Sequence, residues 1–287
     1  MNYLVKNTFK RLSTPKIRFY IKYVIRIPQA VIEGLTNKTE ILVPPSTILF
    51  DGSYSQKQFI EGGNKYLNIF KTLGLINQDS RVLDIGSGNG QKAVALTSYL
   101  SSNGSYEGFD IFKVGIDWSS KHITKRYPNF KFQYVDVYNK HYNPDGTIIP
   151  LDFKFPYPDN SFDFAFLVSV FTHMNEKEIL RYLSEINRVL KIGGKCLATF
   201  FILNDAVIAN MKANDTERPF PYIFDDFATI NPEMPEDAIA FKQDKVIEMV
   251  KKAGFKEDIE IYMGTWSRTN LKGPTYDHQD FIVIEKK

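Results

Sequence analysis

Gly86, Gly88 and Gly90 fall within five positions of "RVLDIGSGNG", residues 81 to 90, directly behind a mostly apolar run. Glycine lacks a Cβ and tolerates positive φ, so such a loop lets a ligand lie against bare backbone. The spacing restricts which ligand. A dinucleotide fingerprint needs G-x-G-x-x-G, whereas here the pattern is G-x-G-x-G and the sixth position is Gln91. No Gly-Lys-Ser/Thr follows, so a phosphate-cradling P-loop is excluded locally. What remains is a ligand with a nucleoside but without a pyrophosphate.

Such a loop needs a strand before it and a helix after it, and the apolar periodicity supplies both. Strands are expected at 81–85, at "SYEGFDI" ending near Asp110, at "KFQYVDV" ending near Asp136, and at "FDFAFLVSV" over 162–170. Three more follow at "KCLATFFIL", "IEIYMG" and "FIVIEKK". Helices are expected from about Ser55 to Leu75, from Gly90 through Leu100, and around Ile116, Ile123 and Tyr127. The helix "EKEILRYLSEINRVLKIGG" is expected to close at Gly193 and Gly194, and "DKVIEMVKKAGF" repeats that helix-to-glycine pattern. Seven strands with interleaved helices place the glycines at the carboxyl end of the first strand, where open α/β sheets bind ligands.

These residues carry a family resemblance. "VLDIGSGNG" is similar to the first motif of class I S-adenosylmethionine-dependent methyltransferases, and Asp110, Asp136, "FDFAFLVSVFTHM" and "INRVLKIGGKCLATF" follow in that family's order, covering about residues 55–202. The resemblance implies a Rossmann-like seven-stranded mixed sheet with helices on both faces. It implies S-adenosyl-L-methionine as cofactor and S-adenosyl-L-homocysteine as product. The implied cofactor contacts are Asp84, Gly86, Ser87, Gly88 and Gly90 in the first motif, then Asp110 and Ile111, Asp136 and Val137, and Ser169. In it, Asp84 orders the loop and the methionine amino group, Asp110 takes the ribose hydroxyls, and Asp136 lies near the adenine amino group. Trp118 is a weaker candidate, since an aromatic at a helix start packs more often than it binds.

A sulfonium methyl is already activated, so the enzyme chiefly aligns the acceptor and excludes water. An oxygen acceptor also benefits from a general base, and His173 of "SVFTHM" is the candidate, with His141, His278 and Asp280 secondary. Asp225 and Asp226 are adjacent and would diverge in regular structure, so no metal is expected. The amino-methylating Asn/Asp-Pro-Pro-Tyr/Phe signature and a Pro-Cys pair are both absent after strand four. Residues 204–240 read as a long connection capping the acceptor, with Phe220, Tyr222, Phe224, Phe227 and Trp266 as stacking surfaces. "SVFTHM", "GTWSR" and "QDFIV" resemble uncharacterised bacterial methyltransferases found among glycan and natural-product pathways.

Composition sets the frame for these readings. The 287 residues are 43% hydrophobic and 24% charged, an ordinary globular balance. The lone Cys196 can form neither an intramolecular disulfide nor a thiolate zinc site, and a reducing cytoplasm is the expected home. Residues 1–32 hold seven cations and no acid, which leaves 29 of the 36 Lys and Arg against all 33 Asp and Glu. The expected organisation is a basic arm over 1–45 and a catalytic domain over 46–287. Within the arm, Thr14 is the expected N-cap and Pro15 the first helical position, with Arg18, Lys22 and Arg26 on one face and Pro28 as the stop. That arm suits its own domain, self-association, or a peripheral place on the inner face of a membrane, and nucleic acid is left open as a partner. The function expected is O-methylation of a sugar, glycan or small hydroxylated metabolite. RNA or protein methylation and a non-catalytic S-adenosylmethionine-binding module are the alternatives.

Overall fold

The computed structural model describes residues 21, 23–28, 31–32, 42–49, 55–140, 142–269 and 276–287. Thr14, Pro15, Arg18, Lys22 and His141 lie outside these residues. The described residues of the arm are helical at 21, 23–28 and 31–32, and Pro28 is itself helical.

Five parallel strands follow one another: β1 (Arg81–Ile85), β2 (Ser105–Asp110), β3 (Phe130–Tyr134), β4 (Phe162–Leu167) and β5 (Leu190–Phe200). Four short strands come next, β6 (Ile202–Leu203), β7 (Tyr222–Ile223), β8 (Phe227–Thr229) and β9 (Ile239–Lys242), and they form a second sheet in the order β6-β9-β8-β7. The chain then returns to the first sheet with β10 (Glu260–Tyr262) and β11 (Asp280–Glu285). The seven strands stand in the order β3-β2-β1-β4-β5-β11-β10, with β11 antiparallel to both neighbours. The expected seven-stranded mixed sheet is therefore present, and the second sheet is additional to it.

The helices are α1 (Gln56–Thr72), α2 (Gln91–Leu96), α3 (Lys113–Ser119), α4 (Glu176–Val189), α5 (Asp205–Lys212) and α6 (Gln243–Lys252). Side chains alternate across each strand, so β1 sends Leu83 and Ile85 to one face and Val82 to the other. The first face packs on Ile179, Leu183 and Ile186 of α4 and on Val246, Met249 and Val250 of α6. The second packs on Tyr66, Ile69 and Phe70 of α1 and on Ala93 and Leu96 of α2. Close approach explains the glycine pair inside α1, because an ideal Cβ on Gly63 would lie 2.5 Å from the Gln91 carbonyl oxygen at the start of α2. Ser55 caps α1 by accepting from the Gln58 N–H.

Two expectations change here. Helix α4 starts with a capping box between Asn175 and Glu178 but ends at Val189, and β5 begins at Leu190. The β4–β5 register moves from Phe162↔Leu190 to Phe164↔Lys195, so "KIGG" is an excursion within the strand. Gly193 turns it at φ +75°, and a Cβ on Gly194 would lie 2.8 Å from the Lys191 carbonyl oxygen. The residues expected as a long connection capping the acceptor, 204–240, build α5, β7 and β8, which with β6 and β9 surround a separate apolar cluster. Phe220 and Trp266 lie inside that cluster, 1% and 0% exposed, so neither is a stacking surface for a ligand.

Candidate functional site

The glycine loop leaves β1 at the carboxyl edge of the sheet. Gly86 and Ser87 both donate N–H to the Phe109 carbonyl, at 2.9 and 3.1 Å, which carries the β1–β2 pairing past the strand end. All three glycines have positive φ, at 85°, 56° and 79°. The protein itself occupies the Cβ space at two of them. A Cβ on Gly86 would lie 2.5 Å from Val170 Cγ2, and one on Gly90 would lie 2.8 Å from both Ile123 Cδ1 and Ser119 Oγ. The loop is thus closely backed by the β4 exit and by the turn after α3.

Asp110 joins this loop to β2. Its Oδ2 accepts the Gly88 N–H at 2.7 Å and its Oδ1 the Phe112 N–H at 2.6 Å, while burial pushes its carboxyl pKa up. The Ile111 N–H also favours its charged form, and a carboxylate with about four acceptor sites then keeps room for a ribose hydroxyl. Beside it, Ile111 packs partly into the core. Ser87 and Ser119 flank the loop with buried hydroxyls that have no hydrogen-bond partner among the described residues. Loop, carboxylate and unmatched hydroxyls fit a polar nucleoside-bearing ligand.

The other two strand-end acids behave differently. Asp84 shares the strand face of Val82, is 1% exposed, and accepts the Tyr106 hydroxyl at 2.6 Å. Burial pushes it up to about 7, with Lys92 and Tyr106 acting against that rise. Asp136 accepts from Tyr134 Oη at 2.7 Å and Asn143 Nδ2 at 3.0 Å on one oxygen, and from Thr147 Oγ1 at 2.8 Å and Thr147 N at 3.2 Å on the other. These donors hold its carboxyl well below the usual carboxylate range. Four donors fill its acceptor sites, so the carboxylate closes the 136–147 turn and does not present itself to an adenine. Val137 is buried in the core and bridges Ile148. A cavity of about 340 Å³ beside β3, lined by Tyr134, Asp136, Ile148 and Phe153 among others, includes none of the glycine-loop residues.

At the exits of β4 and β5 stands a second set of groups. Ser169 has φ +60°, donates its N–H to Thr199 Oγ1 at 2.7 Å, and donates its hydroxyl to Gln279 Oε1 at 3.0 Å. Four residues on, in the turn Phe171–His173, His173 Nδ1 lies 3.0 Å from the Glu236 carbonyl oxygen. A carbonyl only accepts, so the neutral imidazole carries its proton on Nδ1 and its lone pair on Nε2. The Tyr142 ring meets that imidazole edge-on at 5.9 Å. Trp118 is stacked on His122 at 4.8 Å, so its own helix covers one face.

The secondary candidates separate. Asp280 is fully buried and accepts the Gly264 and Ile202 N–H groups at 2.6 Å and Trp266 Nε1–H at 2.7 Å. Burial outweighs those three donors and pushes it up to about 7. It anchors the second sheet beneath the mouth and is not a group at the mouth. His278 is exposed and faces Glu217 at 3.4 Å. Asp277 ties the terminal segment to α1 through Lys65 and the Tyr66 hydroxyl. Among the described residues no group of three or more His, Cys, Asp or Glu is gathered for a metal. Sequence reasoning missed Tyr142, Arg218, Glu236 and Gln279; a backbone carbonyl such as that of Glu236 leaves no trace in residue type.

Residues 76–254 match a family model described as a methyltransferase domain. Among solved structures, the chain is similar to a Pyrococcus horikoshii protein, with TM-score 0.52 and 18% identity over 82% of this chain and 93% of that one. It is similar to the 4+2 cyclase SpnF, with TM-score 0.50 and 20% identity over 83% of this chain and 84% of that one. It is also similar to the CurJ carbon methyltransferase, with TM-score 0.50 and 13% identity over 98% of this chain and 69% of that one. At such identities these likenesses are of fold.

Proposed function

The chain belongs to the methyltransferase-domain family and is an S-adenosylmethionine-dependent enzyme of class I, and on that premise we propose that it methylates an oxygen of a sugar, glycan or small hydroxylated metabolite. When bound, the cofactor supplies a methyl group already activated by its sulfonium. The loop 86–90 and Asp110 would hold it, the backbone taking the amino-acid end and the Asp110 carboxylate the ribose hydroxyls. One observation carries the oxygen reading: the Glu236 carbonyl accepts from His173 Nδ1 at 3.0 Å, which fixes the tautomer whose basic nitrogen is Nε2. His173 lies three residues beyond Val170, whose side chain backs Gly86, so base and cofactor loop share the β4 exit.

The test is transfer of labelled methyl from S-adenosylmethionine to saccharide, phenolic and RNA acceptors. Transfer to a hydroxylated small acceptor is expected, and His173→Ala should lower turnover by roughly 10²–10⁴-fold with unchanged S-adenosylhomocysteine affinity. Transfer to RNA or protein alone, or normal turnover in that variant, overturns the oxygen reading. Cofactor binding without transfer to any acceptor would favour a binding module.

A further inference from the structure

We propose that Arg218 is an anion anchor for the methyl acceptor, so that the acceptor carries a carboxylate or phosphate beside its reactive hydroxyl. The proposal rests on the methyltransferase reading above and specifies its substrate class. Arg218 lies between α5 and β7, in the segment that follows β6. Its guanidinium carbon stands 5.2 Å from the ring centroid of Phe201, the first residue beyond β5. Its Nε is shut off from solvent and has no hydrogen-bond partner among the described residues. The neighbouring acids are engaged elsewhere, Asp215 with Arg268 at 2.7 Å and Glu217 facing His278 at 3.4 Å.

A guanidinium presents five N–H donors in one plane, and the Phe201 ring offers no lone pair to any of them. Burial pushes the Arg218 pKa down, with Tyr142 acting against that change. A half-buried guanidinium stacked on a ring, with one N–H buried and unmatched and no acid paired to it among the described residues, gains when a ligand brings an anion to its remaining donors. The Tyr142 ring meets the His173 imidazole edge-on at 5.9 Å. On the proposal, the acceptor's anion pairs bidentately with Arg218 while its hydroxyl is turned to His173.

Calorimetry on the full chain, saturated with S-adenosylhomocysteine, compares 4-hydroxybenzoate with 4-hydroxybenzamide, and both glucuronate and glucose 6-phosphate with glucose. In at least one comparison the anionic probe should bind about tenfold more tightly or better, and Arg218→Met should abolish that preference. Glucuronate against glucose 6-phosphate distinguishes carboxylate from phosphate. Equal binding of charged and neutral probes, no binding of any charged probe, or a preference that survives Arg218→Met overturns the proposal. If Arg218→Met misfolds, Arg218→Lys decides, since a lowered charged-to-neutral ratio supports bidentate anchoring and an unchanged ratio refutes it. Failure of the wild type to bind S-adenosylhomocysteine would instead sink the methyltransferase reading itself.

Discussion

Asp84 and Asp280 are both buried carboxylates pushed up to about 7, yet they sit in regions built on different plans. Asp84, beneath the cofactor loop, is held by a tyrosine on the next strand, within one β-α-β unit. Asp280, beneath the second sheet, is held by the Gly264 N–H and Trp266 Nε1–H from the segment just before it and by the Ile202 N–H, 78 residues away, across two sheets. The cofactor side is thus a product of neighbouring segments. The acceptor side exists only when distant segments meet, and likewise His173 finds its partner 63 residues away.

The largest effect should come at the seam between the two regions. Gly86→Ala combines a positive φ of 85° with a Cβ 2.5 Å from Val170 Cγ2. Left-handed strain and overpacking together should cost about 3–4 kcal/mol by chemical denaturation, and adding Val170→Ala should return part of it. No rescue would mean that the seam is not the source of the loss.

Asp110→Ala comes next. It removes the ribose acceptor and leaves the Gly88 and Phe112 N–H groups unmatched, so S-adenosylhomocysteine affinity should fall about 100-fold by calorimetry, or roughly 2.7 kcal/mol. Unchanged affinity would move the cofactor off this loop.

Asp280→Asn tests the acceptor side through pH. With its pKa raised to about 7, the folded state holds a proton that the unfolded state releases. The contribution is complete below about pH 4, the ordinary carboxylate value, and is lost as pH rises through 7. The variant cannot titrate, so its stability deficit relative to wild type should shrink by about 2 kcal/mol between pH 5 and pH 8. A deficit independent of pH would show that the three N–H donors keep Asp280 ionised throughout.

Asp136→Ala should have the smallest effect. Because the donors of its own turn fill that carboxylate, cofactor affinity should change only a few-fold by the same calorimetry. A loss comparable to that of Asp110→Ala would restore Asp136 as a cofactor ligand.

Legibility in the sequence follows the same boundary. The G-x-G-x-G spacing, the strand-helix alternation and Asp110 at a strand end were readable because each depends on residues close in sequence. The second sheet was not, since strands of two to four residues carry no period to detect. Phe220 and Trp266 show the related limit: an aromatic in a connection reads equally as platform or core, and here burial makes both core.

Local pattern alone determined the main sheet and the loop, because hydrophobic period and glycine geometry act over a few residues, and the resemblance carried by those motifs implied the cofactor. Tertiary structure decided which carboxylates are already filled, which histidine nitrogen meets a carbonyl, and which guanidinium nitrogen is buried without a partner among the described residues. Those properties depend on desolvation and on hydrogen bonds between segments that only folding brings together.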